Sequence, residues 1–236
     1  MKHSNELRVL NEEIVACRAC PRLVAHREKV AREKRRAFRS ETYWGRPVPG
    51  FGDPEASLLI VGLAPAAHGA NRTGRMFTGD RSGEFLYARL FEAGFANQAE
   101  SKHRGDGLEL RNAYLGATAR CAPPGNKPLP GEIANCRGYL EREFGILRPR
   151  AVLALGKIAF DVFIRMMADA GRVRSRQDFV FRHGARYFLS SDNVSRNIAV
   201  FAAYHPSQQN TQTGRVTPAM YRRVLRDIRR FLCAQR

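Results

Sequence analysis

Four short apolar runs, each bounded by polar residues or glycine, limit most strongly what this chain can fold into. They lie at Ser57–Gly62, Asn112–Ala119, Ala151–Leu155 and Ile198–Ala203. Unbroken runs of Val, Ile, Leu and Ala are typical of strands buried on both faces. Helical patterns separate the runs, and strand–helix–strand crossovers connect parallel neighbours. The chain is therefore predicted to adopt an α/β fold, a three-layer sandwich whose central, mainly parallel four-stranded sheet is flanked by helices.

Five helices are predicted from apolar residues at helical spacing. They are expected over Asn5–Ala16, Ser82–Ala93, Pro130–Phe144, Lys157–Met167 and Pro218–Cys233. Ser82 and Thr217 are predicted N-caps, and Pro218 suits a first helical position. The 236 residues contain no internal repeat and 44% of them are apolar. Residues 1–236 are therefore predicted to form a single domain with one substantial core.

Basic residues greatly outnumber acidic ones. The chain has 40 Lys and Arg against 22 Asp and Glu, a formal net charge of +18, and such a field favours a polyanionic partner. The segment from Arg22 to Arg46 holds nine basic and three acidic residues, which indicates a solvated segment or an exposed helix followed by a loop. A second basic group comprises Arg215, Arg222, Arg223, Arg226, Arg229 and Arg230. We expect about half of these arginines to be merely solvated.

The sequence contains no sign of a membrane segment. No stretch approaches the roughly 18 consecutive apolar residues of a membrane span, and the N-terminal residues form an amphipathic helical pattern rather than a secretion signal. We therefore expect a cytoplasmic, nucleoid-associated protein with no membrane partner. Nothing in the pattern indicates a coiled coil or an obligate dimer, so a monomer is expected.

A long loop follows the first predicted strand, from Gly62 to Asp80. Its nineteen residues are many for a connection in a compact α/β domain, and long loops of this kind are often functional. Phe77 is either a stacking platform for a planar ring or, as an isolated Phe is more often, part of the core. Neither the GxGxxG nor the GxxxxGK[ST] pattern occurs in the loop, which argues against the common nucleotide-binding folds.

Two further unusual segments, Cys121–Pro130 and His205–Gly214, also follow predicted strands. The carboxyl ends of parallel strands meet at one edge of a sheet, where open α/β sheets bind ligands. A shared site at this edge is therefore predicted. His205 would lie there, although a lone histidine usually has only a structural role. The polar residues after it could enter a DNA groove or simply form a polar loop; they are Gln208, Gln209, Asn210, Gln212 and Arg215.

Four of the five cysteines form two pairs. Cys17 and Cys20 make a CxxC, and fourteen residues separate Cys121 from Cys136, while Cys233 stands apart. Four thiolates suit either zinc or a 4Fe-4S cluster. The spacing does not decide between the two metals, and scattered buried cysteines are the remaining alternative.

The motifs quoted above resemble those of a known family. The chain is similar over nearly its whole length to the uracil-DNA glycosylase superfamily, specifically the family 5 or type B enzymes of bacteria and archaea. The resemblance rests on GLAPAAHGANRTGRMFTGD, RCAPPGNKPLPGEIANC, LALGKIAF and YHPSQQNTQTG, in the family's order and spacing. It implies a structural 4Fe-4S cluster, held by Cys17, Cys20, Cys121 and Cys136, and leaves Cys233 free.

The resemblance also implies roles for individual residues. The first loop would form a wall of the base pocket, where Phe77 stacks on the flipped base; its base-binding residues are Gly62, Ala64, Asn71 and Phe77. His205 and Asn126 would be catalytic, Asn126 by holding the attacking water. An acidic residue of the first motif is also implicated, and it matches either Asp80 or position 71, where this chain has Asn. The DNA-binding residues would be Ser207, Gln209, Asn210 and Arg215.

The implied activity is hydrolytic excision of uracil from double-stranded DNA by a monofunctional enzyme that leaves an abasic site. Related families place a polar side chain near the start of the first motif, where this chain has Leu63, Ala64 and Ala66. A pocket without it could also accept hypoxanthine, xanthine or 5-hydroxymethyluracil. The alternative from another class is a non-enzymatic iron-sulfur protein that binds nucleic acid, which leaves the first loop and His205 without a role.

Overall fold

A six-stranded mixed sheet forms the centre of the molecule, in a computed structural model that describes residues 2–191 and 194–234. The strands lie in the order β1-β3-β2-β4-β6-β5. Their bounds are β1 Phe51–Gly52, β2 Leu58–Gly62, β3 Ala113–Ala117, β4 Ala151–Leu155, β5 Arg186–Ser191 and β6 Val194–Ala203. The four inner strands β3, β2, β4 and β6 are mutually parallel, and every residue of β2, β3 and β4 is buried.

Helices cover both faces of this sheet. They are α1 Lys2–Ala16, α2 Pro21–Glu33, α3 Ala70–Thr73, α4 Arg81–Glu92, α5 Pro130–Leu147, α6 Lys157–Asp169, α7 Gln208–Gln212 and α8 Pro218–Cys233. Apolar residues of α4 and α8 pack on one face, and those of α1, α5 and α6 pack on the other. The predicted three-layer α/β sandwich is confirmed.

Two strands were not predicted, so the sheet has six strands rather than four. Both are antiparallel edge strands: β1 pairs with β3, and β5 pairs with β6. β1 has only two residues, too few for a periodic signal. In β5, exposed Arg186 and Phe188 alternate with half-buried Tyr187 and buried Leu189, a pattern that differs from the unbroken apolar runs of the inner strands.

The helix starts follow the chemistry of N-capping. Thr217 caps α8 as predicted, since its hydroxyl accepts a hydrogen bond from the backbone N–H of Met220. The prediction of Ser82 as the cap of α4 is wrong: the helix begins at Arg81, and Asp80 Oδ1 accepts from the N–H of Gly83 at 2.9 Å. Both residue types are good caps, so the sequence alone could not separate them.

The basic segment after the CxxC contains a full helix, α2, whose N-terminal residue is Pro21. Its inner side buries Leu23, Val24 and Arg27, while most of its charged residues face solvent. Among the described residues, no helix is long and apolar enough to cross a membrane.

Candidate active site

The carboxyl ends of β2, β4 and β6 bring three segments of the chain together. In the register of the sheet, β2 pairs with β4, and Leu155 at the end of β4 lies beside Ala203 at the end of β6. The long first loop leaves β2 at Gly62, Gly156 follows β4, and His205 comes two residues after β6. Two of the three predicted segments, the first loop and the segment from His205, meet here through the contact between Phe77 and His205. The third, Cys121–Pro130, follows β3, whose last residue Ala117 pairs with Gly62 at the same edge.

Phe77 is aimed at this edge by a strained backbone. Its φ angle is +52°, in the left-handed region that bulky residues rarely adopt. Strain of this kind costs about 1–3 kcal/mol and persists where the surroundings impose it, often at functional sites. The ring lies over the last residue of β2, because a Cβ at Gly62 would be 2.9 Å from Phe77 Cε2.

Buried polar contacts hold the first loop in place. Arg75 is 3% exposed and makes two hydrogen bonds to the carboxylate of Asp106, of 2.7 and 2.8 Å. It also donates to the hydroxyls of Thr78 and Ser101. The two chain neighbours of Phe77, Met76 and Thr78, are almost completely buried. The backbone on both sides of Phe77 is therefore fixed.

His205 contacts the ring of Phe77, with 5.6 Å between ring centroids and planes tilted by 31°. Its main chain is held by the side chain of Asn210, which donates to the His205 carbonyl at 2.8 Å. Gly156 leaves room beside it, since a Cβ there would lie 3.4 Å from the Cβ of His205. Burial lowers the pKa of His205 to about 4, so the imidazole is neutral at pH 7.

Asp80 lies between the first loop and α4. One carboxylate oxygen caps the helix, and the other lies so close to Gly69 that a side chain at this position would collide with it. Burial raises the pKa of Asp80 above its ordinary value, although the hydrogen bonds from the Gly83 and Ser82 backbone oppose the shift. A carboxylate of raised pKa is a better proton acceptor.

Two other predicted residues differ in burial and in their hydrogen bonds. Asn71 is fully buried in α3, where its Nδ2 donates to the backbone carbonyl of Arg27 at 3.2 Å. Asn126 is exposed, has a φ of +58°, and forms no side-chain hydrogen bond among the described residues. Ala64 is half-buried in the first loop.

The four predicted DNA-binding residues divide into two kinds. Ser207 caps α7 by accepting from the N–H of Asn210, and Asn210 supports His205, so both are used within the protein. Gln209 and Arg215 are exposed, and the Arg215 guanidinium lies 5.0 Å from the ring centroid of Tyr204.

Four cysteines surround one small cavity, which is lined by Cys17, Cys20, Cys121 and Cys136 together with Arg27, Arg120 and Tyr139. Arg27 Nη1 donates to Cys121 Sγ at 2.9 Å, and Asn135 donates to Cys20 Sγ at 3.4 Å. Cys233 is exposed on α8. Within residues 2–191 and 194–234, no three His, Cys, Asp or Glu side chains are placed to hold one metal ion.

Comparison of the sequence with those of known proteins assigns the chain to a family. Residues 49–229 match the sequence model of the uracil DNA glycosylase superfamily. The chain belongs to this superfamily. It is 51% identical to the type-5 uracil-DNA glycosylase of Thermus thermophilus, over 93% of this chain and 95% of the relative. Identity is 48% to that of Mycobacterium leprae, over 94% of each chain, and 42% to that of Pyrobaculum aerophilum, over 90% and 88%.

Within this uracil-DNA glycosylase fold, some residues near the site were not found from the sequence. Gly156 could have been found from the sequence, because it is a glycine directly after a predicted strand. No sequence signal identifies Arg27, Arg75 or Asp106. Each is a polar residue whose partner lies far away in the chain, so its role is visible only in a buried contact. A cavity of about 1200 Å³ lies between α1, α2 and β1 and is lined by neither Phe77 nor His205.

Proposed function

We propose that this protein excises uracil from DNA by hydrolysing the bond between the base and the sugar, leaving an abasic site. The observation that carries the proposal is the contact between Phe77 and a neutral His205 at the carboxyl edge of the sheet. The named activity of the type-5 relatives supports it. A protein that only binds nucleic acid has no need of this pair, and the comparisons do not favour that alternative.

Phe77 supplies the surface on which the base stacks. A target base must first leave the duplex, which costs a few kcal/mol and least at a mismatch such as U opposite G. Stacking on an aromatic ring recovers about 1–3 kcal/mol. Because the strained backbone and Gly62 fix the ring beforehand, a base stacked on Phe77 comes within reach of His205.

His205 stabilises the leaving group. As the glycosidic bond breaks, C1′ gains oxocarbenium character and the uracil gains negative charge. A neutral imidazole whose N–H faces O2 of uracil donates a hydrogen bond to this charge. It does not act as a general acid, because it is not protonated to the imidazolium. Removal of one such donor typically costs about 3 kcal/mol of transition-state stabilisation.

Asp80 and Asn126 are the residues proposed to act on the attacking water. Asp80 combines burial with a raised pKa, as a general base requires. Asn126 is exposed in the segment between β3 and α5 and contributes an amide that can orient water. No lysine nucleophile is needed, so the enzyme is proposed to be monofunctional.

The proposed substrate is double-stranded DNA with uracil or another deaminated base, such as hypoxanthine or xanthine, bound by a monomer. The charge of +18 favours a duplex polyanion. Leu63, Ala64 and Ala66, at the start of the first loop, provide no polar side chain to reject a larger base.

A 4Fe-4S cluster held by Cys17, Cys20, Cys121 and Cys136 is the proposed cofactor. All four line one cavity, and each iron of such a cluster needs only one thiolate, so the ligands are more widely spread than around a single ion. The buried guanidiniums of Arg27 and Arg120 have nitrogens without a hydrogen-bond partner among the described residues, as an anionic group in the cavity requires. When bound to these four residues, the cluster would cross-link the segment between α1 and α2, the loop after β3 and α5.

Metal analysis tests the cofactor. Protein purified without oxygen should contain iron and sulfide, and Cys136→Ala should lose both, whereas the matched variant of exposed Cys233 to Ala should keep them. Equal iron in the two variants would contradict the assignment.

The reaction product distinguishes a monofunctional glycosylase from one that uses a lysine nucleophile. A uracil-containing duplex should be cut only after alkali treatment, which reveals abasic sites. A covalent enzyme–DNA adduct trapped by borohydride would instead indicate a lysine nucleophile and contradict the monofunctional mechanism.

A further inference from the structure

Arg27 touches both the cysteine cavity and the first loop. We propose that it is a positioning residue that couples the cluster to the loop carrying Phe77, an inference that rests on the proposed cofactor and glycosylase activity. Its side chain faces the cysteines, and its backbone carbonyl faces Asn71.

The guanidinium is buried against the cavity. Arg27 is 2% exposed; Nη1 donates to Cys121 Sγ at 2.9 Å, and both terminal nitrogens lie 3.4 Å from the carbonyl of Cys17. A buried cation needs a compensating negative charge. The nearest carboxylate, on Glu28, lies 3.8 Å away and is bound more closely, at 2.6 Å, by Arg18. Thiolates bound to a cluster supply the missing charge.

The carbonyl of the same residue anchors the first loop. It accepts the hydrogen bond from Asn71 Nδ2, and Asn71 is fully buried. The backbone carbonyl of Asn71 in turn accepts from the N–H of Gly45 at 3.0 Å. Because α3 precedes Phe77 by only a few residues, a shift of Arg27 displaces the segment that places the stacking ring.

These contacts give Arg27 two measurable effects. A cation that donates a hydrogen bond to a cluster sulfur stabilises the reduced, more negative cluster and so raises its reduction potential. A residue that orients a bound group from outside its ligands typically changes activity 10–100-fold when replaced.

The experiment compares Arg27→Gln with Arg32→Gln, an exposed arginine of the same helix. Iron content, the midpoint potential of the cluster and the single-turnover rate of uracil release are measured for each. Arg27→Gln is expected to keep its iron, to show a more negative midpoint potential and to release uracil roughly tenfold more slowly. Arg32→Gln is expected to leave the iron content and the midpoint potential unchanged.

Asn71→Ala separates the two ends of the coupling. It should slow uracil release and leave the midpoint potential unchanged, and the double variant with Arg27→Gln should be no slower than the slower single variant, because both act along one path. Arg27→Lys, which keeps the charge, should restore most of the potential.

Equal potentials for Arg27→Gln and Arg32→Gln, or additive rate losses in the double variant, would overturn the coupling. If Arg27→Gln does not fold, uracil release at the wild-type rate by Asn71→Ala would overturn the coupling. Absence of iron from the wild type purified without oxygen would overturn the cofactor and the coupling. Uracil release by that protein would show that the glycosylase activity does not depend on either. Iron without uracil release would instead overturn the proposed function and the coupling to it.

Discussion

His205 loses its charge because the protein withdraws it from water. Burial lowers its pKa to about 4, whereas an unfolded histidine titrates near 6.5. The folded state therefore favours the neutral imidazole, and this preference contributes stability above pH 6.5 that is lost as the pH falls from 6.5 to about 4. The loss is at most about 3 kcal/mol.

Urea unfolding of the wild type and of His205→Gln between pH 4 and 8 measures this loss. The wild type should lose more free energy of unfolding on acidification than the variant, and the difference should develop between pH 6.5 and 4. Parallel pH curves would mean that the imidazole is not held neutral by the fold.

Gly62 is required by the ring of Phe77 rather than by its own backbone. A methyl group at this position would approach Phe77 Cε2 to 2.9 Å and push the ring away from its place over β2. Gly62→Ala should therefore lower the rate of uracil release at least tenfold, by analogy with other small displacements of catalytic groups.

Gly138→Ala, in α5 where nothing lies within 4 Å of the added Cβ, is the control for a change from glycine to alanine. It should leave the rate unchanged and stabilise the helix by about 0.5–1 kcal/mol. A wild-type rate in Gly62→Ala would show that the position of the ring does not matter.

At the scale of elements, the first loop depends on the ion pair between Arg75 and Asp106. Burial alone would raise the pKa of Asp106, but hydrogen bonds from Arg75 and from the Leu108 and Lys102 backbone outweigh it and lower the pKa well below the usual range. Asp106→Ala would leave Arg75 buried and unpaired, which should cost roughly 3–5 kcal/mol of unfolding free energy.

Asp161→Ala is the matched control, since Asp161 pairs with Lys157 on the exposed side of α6. That pair should contribute no more than about 0.5 kcal/mol. Urea denaturation of both variants gives the comparison, and similar losses in the two would contradict an anchoring role for Asp106.

Most of the strands and the long helices could be predicted from the sequence. Each of the four inner strands contains a short apolar run, although β6 begins four residues before its run, at Val194. The bounds of β4 and α8 are as predicted, because burial on both faces and a threonine–proline helix start leave strong local signals. β1 and β5 were missed because an edge strand needs apolar residues on at most one face, and β1 is too short to show any period.

The site was predictable only where its residues carry local signals. A histidine and a long loop after predicted strands indicated that His205 and Phe77 would meet. The positive φ of Phe77 and the buried contacts of Arg27, Arg75 and Asn71 depend on residues distant in the chain, so no local pattern encodes them. The roles proposed for Asp80 and Asn126 stay predictions.

At the scale of the whole molecule, the excess of positive charge should govern DNA affinity. Each phosphate contact contributes a slope of about −0.9 in a plot of log affinity against log salt concentration. Arg215→Gln, which removes the exposed guanidinium over the ring of Tyr204, should reduce that slope by about 0.9.

Arg148→Gln, at the opposite end of the sheet beside the start of β4, should leave the slope unchanged. Fluorescence anisotropy with a labelled duplex gives both values. A flat salt response of the wild type would contradict binding through phosphates.

In the proposed mechanism, neutral His205 and stacked Phe77 together promote cleavage of the bond between uracil and deoxyribose. Single-turnover release of uracil from a U·G duplex, by the wild type and by His205→Ala, tests it most directly, with His103→Ala, an exposed histidine, as the control. The wild type and His103→Ala should produce alkali-labile sites at equal rates, and His205→Ala should be roughly 100–1000-fold slower with DNA binding retained. Uracil release at the wild-type rate by His205→Ala, or no release by the wild type, would contradict this mechanism.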